Sequence, residues 1–380
     1  MVLRFNVYNH QVAFLLPWLL ILFFSNYELS ILHKTLDTIT VLIVVTFLSM
    51  FVLGSQFAQI IMYIKKSRLV NFSCSHYVHD GRYYFLFFIF VLFSLLNVLL
   101  AGYLPLVEQI IAGDPRYMDF GISGVYGIFL AFANAFGVLS YYLYIKTGKR
   151  IYIYIFYLIL FIFLLFMTRQ NIISLLVEIF IVHGFLCKKI NLLKVLILAL
   201  LVLMAFSALG ELRSGDIKKI IEANPDYDWL PSSVYWLYGY FYFSGVNLDN
   251  FIIYSPAPYY DGSSFASLIP NVIKNYFNYS FEHGIFLQKI NFTVSTALMR
   301  IYGDMGIFEV IILGLCFGFF TSIYYLKALS NPEDFLSIAI YSTLFFCAAF
   351  SFFVNFWFYL PIIFQIPFFI FFQKIIFKYR

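Results

Sequence analysis

The chain is 380 residues long, 63% apolar and 22% aromatic, with only 11% charged residues, where soluble proteins carry about 25%. That composition excludes a soluble globular domain and places most of the chain in lipid. The net charge of +5 is spread over short connections between apolar runs, so it does not describe a nucleic-acid-binding surface.

Taken in order, the apolar runs predict ten spans, near residues 11–30, 36–58, 83–103, 122–145, 151–168, 171–187, 191–210, 303–326, 335–354 and 356–377. Each reaches or approaches the ~20 residues a bilayer requires. Arg4 precedes the first run, but Phe24-Ser25-Asn26 is a poor cleavage site, so that run is read as a retained span. With the N-terminus in the cytoplasm, short inside loops collect Lys65, Lys66, Arg68 and Arg82, then Lys146, Lys149 and Arg150, then Lys188, Lys189 and Lys194. Lys327 and the terminal Lys374, Lys378 and Arg380 join them, as the positive-inside rule requires. Both termini are therefore expected inside. The reading is an all-α polytopic membrane protein, a single integral domain over 1–380, with a large outside loop at 211–302.

That loop is the only long part of the chain that a bilayer would not absorb, and it is too aromatic to be disordered. Within it the aromatic run 232–254 is long enough to span, but one extra span would invert everything after it. A re-entrant or interfacial helix, bending at Gly239 and Gly245, keeps the charge pattern; a true span paired with another near 284–300 is the alternative. The four cysteines, Cys74, Cys187, Cys316 and Cys347, lack zinc-ligand spacing and lie in or beside apolar runs.

Four arginines stand at or beyond the outside ends of spans: Arg116, Arg169, Arg213 and Arg300. Arg169, in Met167-Thr168-Arg169-Gln170-Asn171, occupies a turn so tight that nothing obliges a charge to be there. Guanidinium groups match phosphate oxygens and keep their charge in a dry site, so four converging arginines would cradle a lipid diphosphate. Arginines at span ends also snorkel to ordinary headgroups, and Arg213 has Asp216 close by in sequence. Glu211, beside Arg213, and Asp304, at the start of a span, are the carboxylates placed to accept or orient the proton of an attacking hydroxyl. His283 is either a base or a surface histidine. Glu178, in mid-span, is a functional candidate that could also pair with His183. Tyr235, Trp236 and Tyr240, with Asn247 and Asn250, offer ring faces and amides of the kind that hold sugars, and interfacial aromatic belts look the same in sequence. Asp226 and Asp228 have the spacing that could bind a divalent ion bridging a diphosphate and read also as a loop acid pair. The pair is isolated and arginines can do the work of a cation, so no metal and no cofactor is expected.

With its outside loop in the second half, the outward arginine in 167–171, Glu211-Leu212-Arg213-Ser214-Gly215, Asn247–Asn250 and Tyr302-Gly303-Asp304-Met305-Gly306, the chain resembles the O-antigen (oligosaccharide repeat unit) polymerase family, Wzy. Arg116 and Gly127 match the arginine, ten residues, glycine spacing of some members; no counterpart starts from Arg213. The resemblance implies a GT-C-like membrane fold in the bacterial inner membrane. It implies a glycosyltransferase that moves a growing glycan from undecaprenyl diphosphate onto a new lipid-linked repeat unit in the periplasm, and a chain-length regulator protein as a partner. Membrane lipids are the other expected partners. In that reading Arg169, Arg213, Glu211, His283 and Asp304 are catalytic, while Arg116, Arg300, Tyr235, Trp236, Tyr240, Asn247 and Asn250 bind substrate. A lipid-linked glycan flippase and an O-antigen ligase are the rival readings.

Overall fold

The structure is a computed structural model describing residues 8–65, 77–113, 116, 119–122, 124–187, 204, 207, 211, 215–277, 286–289 and 291–378. The expected span at 191–210 lies almost wholly outside the described residues, as do Arg213 and His283.

Apart from one ladder of two-residue strands, the described chain is built of helices: α1 (His10–Phe24), α2 (Thr38–Lys65), α3 (Asp80–Ala101), α4 (Pro105–Ala112), α5 (Tyr126–Thr147), α6 (Arg150–Leu165) and α7 (Arg169–Cys187). Then come α8 (Ser232–Tyr254), α9 (Ala297–Met305), α10 (Ile307–Ser330), α11 (Phe335–Ala349) and α12 (Gln365–Ile376). Among the described residues, five helical stretches are long and apolar enough to cross a membrane: Thr38–Ile64, Asp80–Ala112, Tyr126–Thr147, Arg169–Cys187 and Ile307–Ser330. Four shorter apolar stretches pack with them: His10–Phe24, Arg150–Leu165, Phe335–Ala349 and Leu360–Ile376.

Helices apolar on every face belong in the centre of a bundle. In α5, small residues (Ala131, Ala133, Ala135, Gly137 and Ser140) let neighbours approach from all sides, and α11 is buried along almost its whole length. α2 and α10 meet through glycines at backbone distance. A Cβ on Gly54 would stand 2.1 Å from the Leu315 carbonyl oxygen, and one on Gly318 would stand 1.9 Å from that of Phe51. Between lipid-bathed helices, where tails are as apolar as leucine, such close contact is what holds a pair together.

Polar contacts collect at two ends of the bundle. One end gathers Lys149 paired with Asp80 at 2.5 Å, Lys146 with Glu333 at 3.2 Å, and the ladder joining Tyr77 to Lys378. The other end carries the polar long-loop segments. There Asn224 Nδ2 donates to the Glu28 carbonyl at 2.9 Å, and Asp249 takes the Asp37 amide at 2.8 Å and Lys34 Nζ at 2.7 Å.

Two expectations are corrected. The run 232–254 is not interrupted at its glycines. It is one continuous helix, α8, laid against the ends of α1 and α2, with Tyr238 edge-on to Phe24 and Gly245 against Ile21 and Leu36. Gly239 and Gly245 are small to admit neighbours: a Cβ at either would stand 2.6 Å from Phe292 or from Ile21. The last expected span, 356–377, is broken. The chain turns irregularly through 350–359, makes one turn over Leu360–Ile363, and only then enters α12. Pro361 and Pro367 fall in the first turns of these two pieces, where a missing N–H costs nothing, whereas a proline deeper in one long helix removes a hydrogen bond and kinks or breaks it. The irregular segment is buried in protein, with Trp357 stacked on Phe317 at 4.2 Å, the setting in which broken backbone is tolerated in a membrane.

Candidate functional site

A cavity of about 590 Å³ opens at the long-loop end of the bundle. Three segments wall it: the loop 119–127 before and into α5, the stretch 267–274, and Tyr359-Leu360-Pro361 of the broken last span. Each is held for a local reason. Asn97, buried in α3, accepts the Ile122 amide at 2.9 Å, and Phe120 packs into Tyr103, Tyr126 and Phe166. Gly121, at φ 94°, leaves no room for a side chain, since a Cβ would stand 2.6 Å from the Tyr126 ring. The second wall hangs from α9: Asp304 Oδ1 accepts the Gly262 amide at 2.9 Å, and the Ser264 hydroxyl donates to the Arg300 carbonyl at 3.1 Å. The third wall is the irregular chain itself, and Gly127 is bare where Leu360 comes in.

The polar groups facing this space are Asp119, Lys274, Ser267 and the phenols Tyr126 and Tyr359. Burial, reinforced by the neighbouring Arg300 charge, lowers the Lys274 ammonium from its ordinary value. Two cations held near each other make an electropositive spot that an anion would relieve. Tyr359 faces the side-chain amide of Gln170, one residue beyond Arg169. Around Lys274, the segment 269–277 exposes Ile269, Val272, Ile273, Tyr276 and Phe277. A charge framed by exposed apolar side chains suits an amphiphile with an anionic head.

The residues expected to act together are only partly brought together. Arg300 stands beside Lys274, and Arg169 is exposed at the start of α7, after a turn in which Met167 takes φ 54°. Arg116 turns away, its guanidinium over the Tyr103 ring at 4.5 Å and 3.1 Å from Glu108. Arg116 therefore does not join Arg300 in one cradle, Arg213 lies outside the described residues, and of the arginine–glycine segment the part from Asp119 to Gly127 walls the cavity. Asp304 is buried and spends its carboxylate on the loop amide that positions the second wall. Glu211 is half-buried and its carbonyl accepts the Gly215 amide at 2.8 Å.

The proposed sugar platform is inside the protein. Tyr235, Trp236, Asn247 and Asn250 are buried, and Tyr240 is half-buried against Phe292 and Phe353. Tyr235 donates to the Tyr227 carbonyl at 2.8 Å. Asn247 Nδ2 donates to the carbonyls of Phe292 and Val294, both at 2.8 Å, while its Oδ1 accepts the Gln288 amide. Asn250 accepts from Lys34 at 3.1 Å and donates to Gln288. These groups fasten α8 to the loops around it. Asp228 pairs with Lys218 at 3.0 Å, and Asp226 lies in a short turn capped by Asn224. His183 does not pair with Glu178; its Nδ1 meets the Tyr141 hydroxyl at 2.9 Å.

Lys274 and Asp119 are the site residues that inspection of the sequence passed over as ordinary loop charges. The signal for Lys274 was the apolar spacing around it, Ile269, Val272, Ile273 and Tyr276, which marks a segment lying along an interface. No family model matches the chain, and no curated protein or solved structure matches it.

Proposed function

We propose that this protein polymerises undecaprenyl-diphosphate-linked oligosaccharide repeat units into O-antigen or a related surface polysaccharide, at the periplasmic face of a bacterial inner membrane. The observation that carries this is the cavity lined by both Lys274, with Arg300 beside it, and Asp119, with exposed apolar side chains around Lys274. In this reading the chain has about ten spans in a GT-C-like arrangement, both termini are cytoplasmic, and α8 lies at the outer interface. The acceptor sugar hydroxyl attacks the anomeric carbon of the donor glycan, and the bond from that carbon to the diphosphate oxygen breaks. Lys274, Arg300 and Arg169 stabilise the departing lipid diphosphate, and Asp119 takes or orients the hydroxyl proton. The diphosphate bond supplies the energy, so no cofactor is required, and a chain-length regulator remains a candidate partner.

Two rivals make different surface glycans. Deleting the gene for a polymerase leaves lipid A–core with one repeat unit, whereas loss of a ligase leaves core alone. Loss of a lipid-linked glycan flippase, the rival favoured by the buried carboxyl of Glu178, also leaves none. Within the polymerase reading, Arg169→Lys keeps the charge and loses the two-pronged donor geometry. It should shorten glycan chains nearly as much as Arg169→Ala at equal membrane abundance, by roughly 10²–10³ in rate. Normal long chains from the lysine variant would remove Arg169 from the diphosphate site.

A further inference from the structure

Glu178 lies at the middle of α7 and is fully buried. Its Oε1 accepts from Gln365 Nε2 at 3.0 Å and from the Thr343 hydroxyl at 3.4 Å, and it makes no ion pair among the described residues. Its Oε2 has no hydrogen-bond partner among the described residues. Nor do Gln365 Oε1, Asn134 Oδ1 and Asn171 Nδ2, all on buried side chains. These groups are not scattered. Asn171, Ser174 and Glu178 share one face of α7, Asn134 Nδ2 donates to the Ser174 hydroxyl at 3.1 Å, and that hydroxyl donates to the Asn171 carbonyl. The line begins next to Gln170, which faces Tyr359 of the cavity wall, and runs about 10 Å down the helix from Asn171 to Glu178. Beyond Glu178 the same face continues with Ile181, Val182 and Phe185, all buried and apolar. Buried polar atoms without protein partners are commonly met by water, and on this helix face such atoms lie only on the cavity side of Ile181.

We propose that Glu178 is a proton-binding site inside the bundle, exchanging with the cavity end alone through water along Asn171, Ser174 and Asn134. An ionised carboxylate without a cation beside it is costly at this depth, and a proton on Oε2 removes the charge and supplies the missing donor. Among the described residues the groups facing it are Thr343 and the Cys347 thiol from α11 and Gln365 from α12, and Cys347 is the other titratable one. This holds whichever substrate the cavity takes.

Infrared difference spectra of the purified protein, acid against alkaline buffer, test it. The wild type should show a protonated-carboxyl C=O band that Glu178→Gln lacks and that shifts in D₂O. Asn171→Leu, which fills the path with an apolar side chain of similar size, should keep the band and slow its deuterium shift by about tenfold or more. A spectrum unchanged by Glu178→Gln, or an Asn171→Leu protein exchanging at the wild-type rate, overturns the proposal. Loss of the band when sodium replaces choline at constant pH and ionic strength also overturns it, by assigning the site to a metal cation. Should Glu178→Gln fail to accumulate, the exchange rates of wild type and Asn171→Leu decide alone.

Discussion

Lys274 has a pH signature that an exposed lysine would not. Its ammonium is lowered by burial first and by Arg300 second, so the folded protein gives up that proton at a lower pH than the unfolded chain does. The sign follows: below the folded value the buried charge disfavours the fold, and stability rises as pH climbs from there toward the ordinary lysine value. Anion binding runs the other way, because it needs the charge. Affinity for a lipid diphosphate should therefore fall with rising pH earlier than an ordinary lysine would dictate, and Lys274→Met should flatten that fall. The same substitution should weaken binding by about tenfold to a hundredfold, the worth of one charge-assisted contact of ~1.5–3 kcal/mol. Calorimetry with a soluble isoprenyl diphosphate checks both. The apolar spacing around Lys274 was visible in the sequence, but its pairing with Arg300 was not, because Arg300 comes from a segment 26 positions away.

Helices account for the next layer of behaviour. Asn247 was expected to hold sugar, and its three hydrogen bonds to loop backbone make it a fastener of α8 instead. Asn247→Ala leaves buried backbone groups unpaired at about 1–3 kcal/mol each, so the melting temperature should drop clearly. A variant that melts like wild type yet loses activity would return Asn247 to the substrate. The α2–α10 pair makes a second case. Gly318→Ala places a methyl group at backbone distance from Phe51 and should destabilise the fold by roughly 1–3 kcal/mol. Gly81→Ala, with open space around it, is the control and should be neutral or slightly stabilising. Thermal stability in detergent measures both. Gly314 and Gly318 stood in the sequence at the spacing that pairs membrane helices, but which helix they would meet was not written there.

For the whole molecule, the contacts tie distant loops to common ends. Glu28 is bonded to Asn224, and Lys146 and Tyr142 meet Glu333. Reporters fused in the loops at Glu28 and Asp226 should therefore score on one side of the membrane, and those at Lys149 and Asn331 on the other. Under the proposed function the first pair is periplasmic. A split within either pair would break the bundle as described.

Apolar runs, their lengths and the lysines and arginines between them determined by themselves that the chain is helical and belongs in a membrane, because burial in lipid depends on local composition and on whether each segment satisfies its own backbone. The tertiary structure decided what the polar residues do. Arg116 turned to Glu108 and Tyr103, Asp304 to the Gly262 amide, and Asn247 to Phe292 and Val294, each satisfied by a partner remote in sequence or lying beyond a turn. Asp119, Lys274 and Tyr359 became one cavity only because the last helix breaks at its prolines and brings 359–361 under the other two walls. A buried polar group must find a donor or acceptor wherever packing places one, and that choice is made by the three-dimensional arrangement of the whole chain.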